Sequence, residues 1–342
     1  MQPTGNLDQH IVLAHGGGGQ LTSELLNATI LPVLDNPVLN KLGDSAVLDL
    51  AGHRLAFTTD SYVVQPIEFP GGDIGRLAVC GTSNDLAMAG AEPLALSLAL
   101  ILEEGLEIAT LQRIMASIAA AGAEANVRVV TGDTKVIERG RGDGLYITTA
   151  GVGRVLPEAS LGYDRLEEGD LILINGPIAE HGLTVLSRRK NLEFASRLRS
   201  DVAPLAALAN HLVRELKDSV KLMRDPTRSG LAGVVSEIAA ASGKSVLIEE
   251  DEVPLTAEAR AAAEVLGLDP LTIANEGKFI AVVAPAAAQA ALTLLKSHPL
   301  GCQAAIIGRI TPETPPLAEL ITSIGGRRVI QMPYGEQLPR IC

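Results

Sequence analysis

Aromatic residues are nearly missing from this chain: of 342 residues none is tryptophan, and only four are phenylalanine and four tyrosine. A core without large rings has to be filled by aliphatic side chains and by helices packed closely over alanine and glycine. Cysteine is as scarce. Cys80, Cys302 and Cys342 are an odd number with no CxxC spacing, which fits a reducing cytoplasm. Basic runs are absent, and a formal net charge of −12 argues against a nucleic-acid backbone as partner. An acidic protein can still hold a polyanion such as ATP, provided a divalent cation stands between the two sets of negative charge. The longest apolar stretch, Leu94 to Leu102, is too short to span a bilayer, and the N-terminus lacks the charged-then-apolar order of a signal peptide. The expectation is a soluble, cytoplasmic protein.

Two familiar nucleotide signatures are lacking as well. Gly243-Lys244-Ser245 ends like a phosphate-binding loop, but Ile238 stands where the first glycine is needed, and a helix precedes it. Gly151-Val152-Gly153 has no third glycine and already belongs to a strand.

The length exceeds what one core usually accommodates, so two domains are expected. Apolar strand runs and helical periods alternate through both halves. The first half reads as strands at Ala46–Leu50, Arg54–Thr59, Val127–Thr131 and Leu145–Val155, with Leu94–Leu102 as a buried strand. Helices are expected over Thr22–Leu34, Asp73–Ala89 (after Gly71-Gly72, with Asp73 as cap) and Ile108–Ala121. The expected division is a domain over 1–155, a linker over 156–169 opening a second α/β domain that runs to 331, and a tail over 332–342. Four successive glycines, Gly16 to Gly19, cost too much backbone entropy for an element interior and predict a mobile loop.

Chemistry concentrates in a set of aspartates at element ends: Asp44, Asp60, Asp85, Asp133 and Asp225. One such residue alone is most often a cap or turn former. Several converging on one sheet edge repel each other unless a hard cation sits among them, and Mg²⁺ takes a few carboxylates together with phosphate oxygens and water. Asp44, Asp60, Asp85 and Asp225 are therefore the candidate metal ligands. The candidate nucleotide contacts are Asp133 with Thr131 and Gly132, Asn84, and the free backbone N–H groups of Gly17, Gly18 and Gly19. Lys135 and Glu276 are candidate proton-transfer groups. Cys80 and Cys302 read as core filler. The last residue, Cys342, is different: it follows a run containing Pro333, Gly335 and Pro339, which favours an extended, movable segment. A thiol tethered on one side only can enter a pocket as a peptidic substrate.

The runs Thr58-Thr59-Asp60-Ser61-Tyr62-Val63-Val64, Phe69-Pro70-Gly71-Gly72-Asp73-Ile74-Gly75 and Asn84-Asp85-Leu86-Ala87-Met88 closely resemble the HypE family of hydrogenase maturation factors. So do His15 to Gly19, Thr131-Gly132-Asp133-Thr134-Lys135, Asp225-Pro226-Thr227-Arg228, Asn275-Glu276-Gly277 and the closing Pro339-Arg340-Ile341-Cys342. The likeness covers nearly the whole chain. Ser229 departs from it where glycine is expected.

That resemblance implies a mixed α and β fold of two PurM-like domains. In it the first domain pairs its mixed sheet across a homodimer, the second is an α/β sandwich-like domain, and the tail is flexible. It also implies ATP-dependent dehydration of a carbamoyl group on the Cys342 sulfur to a thiocyanate, whose cyanide is destined for the iron of NiFe hydrogenase. The implied carbamoyl donor is HypF, and the implied acceptor is the HypC–HypD complex. Two alternatives stay open at this point. One is another PurM-like ATP user, of the selenophosphate synthetase or thiamine-phosphate kinase type; the other is a non-catalytic thiol carrier.

Overall fold

The computed structural model describes residues 10–192, 197–335 and 340–342. Two sheets organise them. The first has five strands, β1 (Ala46–Leu50), β2 (His53–Tyr62), β3 (Ala91–Glu103), β4 (Arg128–Ile137) and β5 (Leu145–Val155), in the order β1-β2-β5-β3-β4. Only the β3–β4 pair is parallel. β1 turns into β2 through Ala51 and Gly52, both at positive φ, the two-residue geometry that matches strand twist. Along β2 the buried residues alternate, Ala56, Thr58 and Tyr62, so one face points to the core.

That face receives helix α1 (Ile74–Met88), whose N-cap Asp73 accepts from the Gly75 and Arg76 amides. Small residues let α1 lie close to the sheet. A Cβ on Gly151 of β5 would come within 2.9 Å of Thr82, and one on Gly81 within 2.4 Å of the Tyr62 hydroxyl. α1 is buried almost throughout because the first domain's helix Ile108–Glu124 and the second domain cover its other sides. Asn84 ties the two domains: its amide donates to the Ala203 carbonyl and accepts from the Leu205 amide.

The second sheet has seven strands, β6 (Leu171–Ile174), β7 (Val220–Arg224), β8 (Ser245–Glu249), β9 (Ile280–Val283), β10 (Ala305–Thr311), β11 (Ala318–Ile321) and β12 (Arg327–Val329), in the order β12-β11-β8-β10-β6-β9-β7. β7 and β11 escape the sequence pattern. In β7 the buried Lys221 interrupts the apolar run, its charge balanced by Glu167 and Asp170 at 2.5 and 2.9 Å.

Three further expectations are corrected. β3 is only partly covered, with Leu94 and Ile101 exposed, because among the described residues no element packs on one face of the first sheet. Cys302 is exposed rather than core filler. The glycine loop is held: the Gln20 and Leu21 amides donate to the Pro333 and Tyr334 carbonyls, and Gly19 packs so tightly on Pro333 that a Cβ there would fall 2.3 Å from its carbonyl oxygen. Among the described residues no helix is long and apolar enough to cross a membrane.

Candidate active site

A cavity of about 290 Å³ opens between the two domains, at the end of β2. β2 delivers Thr58, Thr59 and Asp60, the preceding loop Asp44, α1 Asp85, and the turn after β7 Asp225 and Arg228. Gly18, Glu276 and Cys342 complete the wall. The four candidate metal ligands, scattered over 181 positions from Asp44 to Asp225 (225 − 44), thus share one space. Asp133, Lys135, Thr131 and Gly132 do not. They lie on β4, at the outer edge of the first sheet, around a separate open depression. There Lys135 pairs with Asp133 at 2.9 Å, both well exposed. Asn84 is buried and hydrogen-bonded at both ends to 203–205, so it offers nothing to the cavity. Of the three candidate glycines only Gly18 lines it; Gly17 accepts from Ser229, and Gly19 meets Pro333.

Thr58 is the hinge of the acidic wall. Its hydroxyl lies 2.9 Å from both the Asp85 carboxylate and the Asp44 carbonyl, while Ser45 donates to the Asp85 carbonyl. Arg224 holds Asp44 at 2.9 Å and Glu237 at 2.9 Å, and Arg228 reaches Asp60 at 3.2 Å. Sequence reasoning missed Arg224 and Glu237. Arg224 begins the Arg-Asp-Pro-Thr-Arg run, whereas Glu237 lies 13 positions on, in a helix, without any local signature.

Burial and crowding set the electrostatics. Asp225 is pushed up to about 8, by burial first and then by Asp44, with Asp60 adding to it and Arg224 opposing. Asp44 rises to about 6 through burial, held down by Arg224. Asp85 is raised well above the carboxylate range by burial and by Asp225, Asp44 and Asp60. Such a wall is stabilised by any cation that enters it. An oxygen of Asp44 and one of Glu276 are buried with no hydrogen-bond partner, so donor capacity is unfilled. Hard carboxylate oxygens suit Mg²⁺. Among the described residues, however, no three acidic, His or Cys side chains form a ready cage, so an ion here needs phosphate oxygens and water to complete its shell.

Glu276 stands at 4% exposure. Its carboxyl is raised well above the usual range by burial, then by Asp225, Asp201 and Asp60. Its own amide donates to Asp201 at 3.1 Å and its carbonyl accepts from Ala203. The next residue must be glycine, since a Cβ on Gly277 would sit 1.8 Å from the Asp201 carbonyl oxygen. Opposite, Cys342 brings the chain's last atoms to the same space. The tail is seated, not loose: the Gln65 amide donates to the Arg340 carbonyl and the Val63 amide to the Cys342 carbonyl, each at 3.1 Å.

Comparison with known proteins identifies the family. Residues 42–155 match the N-terminal domain, and 167–316 the C-terminal domain, of the AIR synthase related protein family. Carbamoyl dehydratase HypE of Rhizobium leguminosarum bv. viciae is 46% identical over 332 residues, covering 97% of this chain and 95% of that protein. The crystal structure of hydrogenase maturation protein HypE in complex with ATP superposes with a TM-score of 0.82 at 44% identity, over 97% of this chain and all of that one. The HypE–HypF complex gives 0.86 at 41% identity, over 90% of this chain and 99% of the matched one. The chain belongs to the HypE family of carbamoyl dehydratases, enzymes of hydrogenase maturation built on the two AIR synthase related domains.

Proposed function

We propose that this enzyme dehydrates a carbamoyl group carried on its own Cys342 sulfur, turning S–C(=O)–NH₂ into S–C≡N with loss of one water, at the expense of ATP. The observation that carries this reading is that Cys342 and Glu276 line the same acidic cavity. ATP supplies a phosphoryl group that makes the carboxamide oxygen a leaving group. Asp60, Asp85 and Asp225, with Asp44, would hold the Mg²⁺ that neutralises its phosphates. Arg228, beside Asp60, faces the same phosphates.

Glu276 is the group placed to take a nitrogen proton. Burial first, then Asp225, Asp201 and Asp60, raise its carboxyl well above the usual range, so it would hold a proton taken from nitrogen more firmly than an ordinary carboxylate. A cation held by the neighbouring aspartates would favour its ionised form. Lys135 lies on the outer edge of β4 and cannot serve the cavity of its own chain. We assign it to a homodimer that covers the open face of the first sheet, where Leu48, Phe57 and Ile101 are exposed and Ile101 pairs with Lys135.

The structure of HypE with HypF supports HypF as carbamoyl donor. The cyanide is proposed to pass to the HypC–HypD complex and on to the iron of NiFe hydrogenase. Mass measurement of the C-terminal peptide tests the reading. Incubation with donor should add about 43 Da, and Mg-ATP should then remove about 18 Da, the water whose loss acid–base groups assist. Either adduct on Cys80 or Cys302, with Cys342 unmodified, overturns it.

A further inference from the structure

The last three residues are read almost entirely through their backbone. The Val63 and Gln65 amides donate to the Cys342 and Arg340 carbonyls, two antiparallel rungs just beyond the end of β2, with Arg340 at positive φ. Between them the Ile341 carbonyl meets His181 Nε2 at 2.9 Å. Arg189, about two turns along the same helix (Glu180–Arg189), donates to the Gln65 carbonyl at 2.7 Å and to the Arg340 carbonyl at 2.5 Å. The Ile341 side chain is buried, and Arg340 pairs with Asp143 at 2.8 Å.

His181 has no freedom in this arrangement. A carbonyl can only accept, so Nε2 carries the proton. Nδ1 must then accept from the Ser200 hydroxyl at 2.7 Å, and that hydroxyl in turn accepts from the Val202 amide. The edge of the Phe69 ring packs against the imidazole at 5.5 Å. Tautomer and ring plane are therefore both fixed, from one side by a hydroxyl and from the other by packing.

We infer that His181 is a positioning residue for the dehydration. Its Nε2–H anchors the Ile341 carbonyl and thereby fixes the place of the Cys342 sulfur in the cavity. The inference rests on the proposed role of Cys342. A histidine that merely fills the core would stabilise the fold without governing access to that thiol.

Alkylation separates the two. Full-length protein without ATP or donor is treated with N-ethylmaleimide, and modification of Cys342 is followed by peptide mass, with the exposed Cys302 as internal reference. His181→Phe keeps a ring against Phe69 but removes the donor. Cys342 should then react about tenfold faster, as expected for one buried hydrogen bond lost, while Cys302 is unchanged. His181→Gln, which restores an N–H, should return the rate to within about threefold of wild type. Dehydration by His181→Phe should fall by a similar factor with Mg-ATP affinity unchanged. Should His181→Phe fail to fold, Ser200→Ala, which removes only the hydroxyl that pins the tautomer, should show a smaller acceleration of the same sign. Equal Cys342 rates in wild type and in the folded variant overturn the inference. If those rates differ but wild type makes no thiocyanate, the seat stands and the proposed reaction falls.

Discussion

The cavity wall and the β4 edge use the same side chains to opposite ends. On β4, Asp133 keeps its carboxyl below the usual range because Lys135 hydrogen-bonds it and the Thr134 amide adds a second donor, all in open solvent. In the cavity, Asp85, Asp225 and Glu276 are driven upward by burial and by one another. An exposed pair is already satisfied and needs no ligand, whereas the buried set stays poorly satisfied until a cation arrives. What separates the two sets is burial, not residue type.

Five outcomes would break or sharpen that contrast, the largest first. Glu276→Gln should slow dehydration at least about a hundredfold and let the carbamoylated form accumulate on Cys342, the size expected of a lost proton acceptor. Wild-type turnover in that variant removes Glu276 from the mechanism. Lys135→Ala should also be inactive. Mixed with Glu276→Gln it should regain about a quarter of wild-type activity, because half of the random dimers are mixed and each holds one intact site. No recovery on mixing places Lys135 outside the reaction.

Gly277→Ala should come next, costing about 1–3 kcal/mol in thermal unfolding because the added methyl meets the Asp201 backbone. Its rate should fall with its stability, since Glu276 is displaced as well. An unchanged melting temperature would show that the loop relaxes freely.

The fourth outcome is a pH effect. Asp225 is raised from 3.8 to about 8 in the folded chain, so the folded state binds the proton that the unfolded state has lost. Stability from this group is full below about pH 4 and is lost as pH rises toward 8. With chelator present, Asp225→Asn should therefore raise the melting temperature at pH 8 by about 2–4 °C and change little at pH 4. The reverse order of the two pH values would sink the account. Asp133→Asn should have the smallest effect, no measurable shift in melting temperature, since its partner is exposed.

Much of this was legible in the sequence, for identifiable reasons. Asp60 and Asp85 could be grouped because one follows an apolar strand run and the other closes a small-residue helix that must pack on it. Lys135 could not be placed from the sequence, because a strand run tells which residue leaves a sheet, not which edge it leaves; within one chain it lies on the outer edge of β4. Nothing local marks Glu237, which reaches Arg224 only through tertiary packing. His181 is likewise silent, being 160 positions from the Ile341 carbonyl it holds. Exposure of β3 was unreadable because an apolar strand looks the same whether its cover comes from its own chain or from another.

The two hydrogen bonds from Gln20 and Leu21 to Pro333 and Tyr334 have one more effect. They fasten the stem of the tail, Pro333 and Tyr334, to Gln20 and Leu21, so eight residues (342 − 334) separate the last fastened position from Cys342. Eight residues cannot stretch beyond about 28 Å, at roughly 3.5 Å each. The thiol therefore works within a short radius, and any protein that loads or unloads it has to dock its own active site inside that circle or first unfasten the stem.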